Sequence, residues 1–348
     1  MNQLVFVLAA ISINTFISTV HAAKYTCESS RGFSPYTYDK PDYIDHERFM
    51  PAFNGGLIKR RSAFTSVFDD ADDDNGDGIS DMTGNPTFVT YHLKGLMPNG
   101  NRYSEPDISI KRPSDWYRSS ELIGLISQQS GVMASRIDNS YDGIGTIWNR
   151  GHWAMADHAQ RISWEASCNT HSFWNASPQA ASLNQGDWLH LESYSAALSN
   201  LKGDVWVITG PIFLKGQPLK YIGDIGEFPI AIPDALFKVL IFSDQGNLNF
   251  LPFIYDQEVY ISTSGKDSGK PISNGNWVKC SSAKKAKHKY NKELHLVSLS
   301  DIERLTSLKF FPSMDHSLRE QLVAYRPKRT FNVSDNFWSS KYCKGVTK

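Results

Sequence analysis

The chain has little cysteine and no net charge. Its four cysteines, Cys27, Cys168, Cys280 and Cys343, include no C-x-x-C pair, which argues against a thiolate zinc framework. Lysine plus arginine and aspartate plus glutamate each number 36 in 348 residues. No overall field therefore draws in a polyanion, and a nucleic-acid partner would have to be met by cations gathered locally. No low-complexity linker or internal repeat divides the sequence, and hydrophobic residues make up 41% of it, as in an ordinary globular protein. One large α+β domain over residues 23–348 is expected, with 313–348 as a C-terminal extension.

Residues 1–22 stand apart. Leu4 to Val20 is apolar but short and interrupted by Asn14, and no Lys or Arg precedes it. Small residues at Val20-His21-Ala22 favour a signal peptide cleaved after Ala22 over an uncleaved anchor. That predicts a secreted or periplasmic mature protein without membrane contact. An even number of cysteines agrees with an oxidising compartment and permits three pairings.

The stretch from Asn149 to Glu192 concentrates chemistry. It reads N-R-G-H-W-A-M-A-D-H at 149–158, S-F-W-N-A-S-P-Q at 172–179 and L-N-Q-G-D-W-L-H-L-E at 183–192. Hydrolysing a phosphodiester requires a deprotonated water and positive charge on crowded oxygens. An imidazole such as His152 suits the first task because its pKa lies near neutrality. A guanidinium such as Arg150 suits the second, since its planar fork matches phosphate. Residues two apart on a strand share a face, so the two can address one phosphate. Ser182 to Tyr194 is predicted to be one helix. Asn184 and Glu192 are then separated by about 12 Å of axial rise, which lets one of them ligate an ion directly and the other through water. Hydrated Mg2+ fits that arrangement.

These three blocks resemble the DNA/RNA non-specific endonucleases, whose signature is D-R-G-H, then N-x-x-P-Q, then L-N-x-G-x-W-x-x-L-E. Later stretches agree: G-D-V-W-V-I-T-G-P-I-F at 203–213, I-P-D-A-L-F-K-V at 232–239, V-S-L-S-D-I-E-R-L-T at 297–306 and F-F-P at 310–312. The similarity spans roughly 88–312. It implies an α+β fold, a central mostly antiparallel β-sheet flanked by helices, with a ββα-metal (His-Me finger) site. It further implies that His152 is the general base, that Asn184 ligates Mg2+ (or Mn2+) directly, and that Glu192 holds a metal-bound water. Arg150 and Arg102 would neutralise the phosphate, and Asn175 would support the site. The products would carry 5′-phosphates and 3′-hydroxyls. One position departs from the signature, because Asn149 stands where the family has Asp.

Elsewhere, Asp69 to Asp81 reads D-D-A-D-D-D-N-G-D-G-I-S-D. Asp73, Asn75, Asp77 and Asp81 offer oxygens at the spacing that cages hard cations, which predicts structural Ca2+. The alternative is an acidic surface loop. Lys59-Arg60-Arg61 is expected to be a solvated turn. Arg112 and Arg118 rival Arg102, and a helix is expected near 119–130. Thr87–Leu93, Val205–Ile208 and Phe237–Phe242 read as strands. Asp301–Leu308 reads as a helix capped by Ser300, after a strand at Leu294–Leu299. The six lysines at 279, 284, 285, 287, 289 and 292 are either a solvated loop or a phosphate-tracking surface. His158, His171, His190, Trp153, Trp174 and Trp188 are expected to be structural. The partners expected are DNA and RNA, with a protein inhibitor also compatible. The competing function is a non-catalytic, Ca2+-stabilised extracellular binding protein that keeps the fold.

Overall fold

The computed structural model describes residues 23–27, 42–69, 83–98, 105–106, 108–113, 116–117, 121–122, 124, 139–141, 148–223, 227–257, 259–261, 269–271 and 277–338. In chain order the described strands include β1 (Ala23–Thr26), β2 (Leu57–Arg60), β3 (Thr65–Phe68), β4 (Pro86–Lys94), β5 (Ile108–Lys111), β6 (Trp148–His152), β7 (Ala176–Ala180), β8 (Asp204–Ile212), β9 (Lys220–Ile222), β10 (Ile230–Ile232), β11 (Ala235–Asp244) and β12 (Asn247–Asp256). The described helices include α1 (Asp42–Glu47), α2 (Ala156–Ala159), α3 (Trp164–Asn169), α4 (Ala181–Asn184), α5 (Asp187–Lys202), α6 (Cys280–Ala286), α7 (Leu299–Thr306) and α8 (His316–Ala324).

Alternation of side chains builds the centre. Six strands form one sheet in the order β12-β11-β8-β4-β3-β2, and every pairing in it is antiparallel. Val89, Tyr91 and Leu93 of β4, Val207 of β8 and Leu236 and Leu240 of β11 pack with Trp188, Leu191, Tyr194 and Leu198 of α5. The intervening residues Phe88, Ile208, Phe237, Val239 and Ile241 pack with Leu299 and Ile302 of α7 and Val323 of α8. The sheet is therefore sandwiched, as a period of two with both faces apolar requires.

Helix α5 lies within the first of these layers. All its residues except Leu189, Leu201 and Lys202 are buried, so it has no polar face. The hydroxyls of Ser193 and Ser195 donate back to the carbonyls of Leu189 and Leu191, each at 2.8 Å, which satisfies them without external partners. Gly203, at φ +93°, ends the helix in a conformation that costs glycine little.

Three local expectations are corrected. Leu294–Leu299 is not a strand: only Leu296 bridges to Phe253, Lys292–His295 forms a 3-10 turn, and α7 already begins at Leu299. Its cap is Ser298 rather than Ser300, because Ser298 Oγ accepts from Asp301 N while Asp301 Oδ2 accepts from Ser298 N, both at 3.1 Å. Such a reciprocal pair satisfies two orphan amides at once. Lys59-Arg60-Arg61 is no solvated turn either. Lys59 and Arg60 belong to β2 and pair with Glu121 and Glu47, while Arg61 is only 2% exposed. The strands expected at Thr87–Leu93, Val205–Ile208 and Phe237–Phe242 lie within β4, β8 and β11. The helix expected near 119–130 lies largely outside the described residues.

The first and last described segments are tied to the site-bearing half. Cys27, next to β1, is bonded to Cys168 of α3 across 141 residues, and Cys280 is also disulfide-bonded. Beyond α8, Val333 joins the α5-side core with Phe331 and Trp338 packed against it.

Candidate active site

Strands β6 and β7 form an antiparallel hairpin in which Asn149 faces Gln179 and His152 faces Ala176. Gly151, between Arg150 and His152, has no room for a side chain: a Cβ there would lie 2.0 Å from Gln179 Cδ. The glycine lets the Gln179 side chain cross the hairpin, where its Oε1 accepts from Asn184 Nδ2 at 2.5 Å. The middle residue of R-G-H thus governs an amide on the next helix.

His152 is half-buried. Its ring centroid is 4.5 Å from that of Trp116 and 4.8 Å from that of His171, which meets it edge-on. The Arg150 guanidinium lies over the same Trp116 at 5.8 Å. Burial holds the His152 pKa well below the usual imidazole value, and His171, Arg112 and Arg150 push it further down. The ring is therefore neutral at pH 7 and able to take a proton. His152 Nε2 is buried and has no hydrogen-bond partner among the described residues.

Asn175 is fully buried and spends its amide on the main chain. Its Nδ2 donates to the carbonyls of Ala154 and Thr170, both at 2.9 Å, and its Oδ1 accepts from Ala154 N at 2.7 Å. It staples the turn after His152 to the segment before β7. Trp153, Trp174 and Trp188 are all fully buried.

Asn184 ends α4, and the helix expected over Ser182–Tyr194 is interrupted immediately afterwards. Gly186 lies against Val278, whose carbonyl oxygen would be 2.3 Å from a Cβ there, and α5 starts afresh at Asp187. The straight-helix rise of about 12 Å between Asn184 and Glu192 consequently does not apply. Both residues line one cleft of about 320 Å3, together with Arg112, His152 and Gln185. Asn184 Oδ1 accepts from Asn149 Nδ2 at 2.8 Å, and Asn149 Oδ1 accepts from Gln185 Nε2 at 3.3 Å.

Glu192 is 5% exposed and its Oε1 lies 3.4 Å from Nζ of Lys238, which is fully buried. Lys238 alternates with Leu236 and Leu240 along β11, so its side chain shares the α5-facing side of the sheet. It also lies 4.3 Å from the Trp188 ring. Burial raises the Glu192 pKa, and the lysine draws it back down. On the opposite side, His158 Nε2 meets the Glu192 carbonyl at 3.1 Å and its Nδ1 meets the Tyr91 hydroxyl at 3.1 Å. A carbonyl only accepts, so Nε2 carries the proton and Nδ1 accepts from the tyrosine.

The sequence-predicted residues divide accordingly. His152, Asn184 and Glu192 meet at the cleft, with Asn175 behind them. Arg150 is held over Trp116, and Arg112, foreseen only as a rival, lines the cleft instead. Arg102, Asp73, Asn75, Asp77 and Asp81 lie outside the described residues. Asp69 and Thr83, which flank the acidic run, bond to each other through Asp69 Oδ2 at 2.5 and 2.8 Å. Sequence reasoning gave Gln179 and Lys238 no role and expected His171 to be structural, although the lysine within the apolar run A-L-F-K-V-L-I-F was a visible signal. The cleft is lined by the amides of Asn184 and Gln185 and the carboxylates of Asp157 and Glu192, and among the described residues no cluster of three His, Cys, Asp or Glu could hold a metal. Such an oxygen set suits a hard, mostly hydrated ion rather than zinc.

Residues 75–317 match the family of DNA/RNA non-specific endonucleases. The chain belongs to that family. Mouse mitochondrial nuclease EXOG is 29% identical over 181 residues, which is 51% of this chain and 43% of the relative. Bovine mitochondrial endonuclease G is 37% identical over 124 residues, 34% of this chain and 41% of the relative. The chain thus spans less than half the length of these curated relatives. A crystal structure of the EndoG/EndoGI complex shares the fold, with a TM-score of 0.53, 18% identity, and coverage of 80% of this chain and 95% of that one. The α+β architecture with its antiparallel sheet agrees with this non-specific endonuclease fold. The relatives being mitochondrial nucleases overturns the secreted or periplasmic destination expected from residues 1–22, which themselves lie outside the described residues.

Proposed function

We propose that this member of the non-specific endonucleases hydrolyses phosphodiester bonds of DNA and RNA with little sequence preference, using one hydrated Mg2+ (or Mn2+). The observation that carries this reading is the meeting of His152, Asn184 and Glu192 around one cleft. Neutral His152 takes a proton from the attacking water. The resulting hydroxide adds to phosphorus opposite the 3′-oxygen; that P–O bond breaks, leaving a 5′-phosphate, and the departing oxygen gains a proton to become a 3′-hydroxyl. Arg112 brings positive charge to the cleft for the non-bridging oxygens, and Arg150 adds to it from beside Trp116. Asn184 and Glu192 would hold the ion, whose charge stabilises the phosphate as negative charge builds up. Contacts to the backbone carry no base information, which is why sequence preference is low. A protein inhibitor belongs among the partners this reading admits, since the similar structure is of an EndoG with its inhibitor.

The test is digestion of plasmid DNA and of RNA by wild type and His152→Ala, in EDTA or Mg2+ in otherwise identical buffer. Mg2+-dependent cleavage that drops by at least about a hundredfold in the variant is expected. Intact substrate in Mg2+, or equal rates for both proteins, would overturn the reading.

A further inference from the structure

We propose that the lysine-rich lobe formed by α6 and the segment after it is a second nucleic-acid contact, which grips backbone phosphates a few nucleotides from the cleft. Residues 279–292 carry six lysines and no acidic residue, in a protein whose formal net charge is zero, so that acidic residues outnumber basic ones in the rest of the chain. Lys284, Lys285, Lys287 and Lys289 are exposed, and among the described residues they form no ion pair.

What separates this run from a solvated loop is its attachment. Cys280 N donates to the Gln185 carbonyl at 2.8 Å, and Val278 packs against Gly186 so closely that no Cβ fits. The Tyr290 hydroxyl donates to the Val278 carbonyl at 2.8 Å, closing the lobe on itself. Cys280 is disulfide-bonded as well. The lobe is thus fixed to the break between α4 and α5, one residue after Asn184, and Gln185 lines the cleft. From Cys280 to Lys284 the helix rises about 6 Å, which corresponds to about two nucleotides at 3.4 Å each. A strand leaving the cleft along this side meets the lysines within a few phosphates. A membrane surface would meet them with no reason for the attachment to the cleft.

This inference rests on reading the cleft as a phosphodiester site, and the experiment separates the two. Binding of a fluorescent 24-base-pair duplex is measured in EDTA, where no turnover is needed, across a salt series. The proteins compared are wild type, the triple variant Lys284→Gln/Lys285→Gln/Lys289→Gln, and a charge-matched control, Lys215→Gln/Lys309→Gln/Lys328→Gln, at exposed positions elsewhere. Wild-type cleavage of the duplex in Mg2+ is recorded in parallel.

The lobe variant should bind at least about tenfold more weakly at 100 mM salt, with a salt slope shallower by about 2 to 3, as expected for three lost phosphate contacts. The control should bind like wild type. Unchanged affinity in the lobe variant, or an equal loss in the control, overturns the inference. So does loss of binding to vesicles containing anionic lipid with duplex affinity unchanged. If wild type cuts nothing and the lobe variant still loses the duplex, the cleft reading fails and the lobe stands.

Discussion

The carboxylate of Glu192 and the ammonium of Lys238 lie 3.4 Å apart, the lysine fully buried and the glutamate nearly so at the cleft wall. Each would be costly to bury charged and alone. Burial raises the pKa of this carboxylate at the edge of the cleft, and the lysine opposes that shift from strand β11.

Lys238→Met leaves Glu192 buried without its counter-charge, and a loss of about 3–5 kcal/mol in unfolding free energy is expected. The double variant Lys238→Met/Glu192→Leu removes both charges and should recover most of that loss. Urea denaturation of the two variants checks this; a double variant as unstable as the single would show that packing, not charge, is at stake.

The pH–rate profile should keep its acid limb below the ordinary imidazole range, because His152 is held neutral by burial, His171, Arg112 and Arg150. Lowering the pKa of a base keeps it active to lower pH. His171→Asn removes one of the depressing groups, so the acid limb should move up, toward 6.5. A limb that does not shift would remove His171 from the electrostatics of the base.

Asn149 donates to Asn184 Oδ1, the oxygen that the proposed site would offer to the metal. Asn149→Asp replaces that donor with an oxygen, which repels the amide oxygen unless a cation sits nearby. Half-maximal activity should then be reached at several-fold lower Mg2+. An unchanged Mg2+ titration would show that the donor does not compete with the ion.

Gly151→Ala drives a methyl group into Gln179 and so disturbs the partner of Asn184. Expected is a raised Mg2+ requirement with a cooperative unfolding transition retained. The titration is compared with that of Gln179→Ala, which should reproduce most of the effect, and a variant with wild-type metal dependence would dissociate the glycine from the ligand.

Much of the fold was readable because it repeats locally. The alternation in T-F-V-T-Y-H-L yields β4 and the short apolar run F-K-V-L-I-F yields β11, and the blocks around His152, Asn184 and Glu192 mark the cleft. What escaped depends on residues distant in the chain. The helix break at Gly186 is imposed by Val278, which no local pattern reveals. Ser298 and Ser300 are equally suited to cap α7 by composition, and the reciprocal bond with Asp301 decides between them. Arg112 reaches the cleft across a segment whose path spacing alone does not predict. Lys238 was legible as an anomaly, but its partner becomes visible only when the sheet and α5 are stacked.

The bond from Cys27 to Cys168 encloses the whole sequence from β1 to α3, acidic run and hairpin strand included. A proteolytic nick anywhere inside that span leaves both fragments covalently joined, migrating as one species until a reductant is added. The polypeptide can thus be cut ahead of the strand that carries His152 without shedding its amino-terminal part.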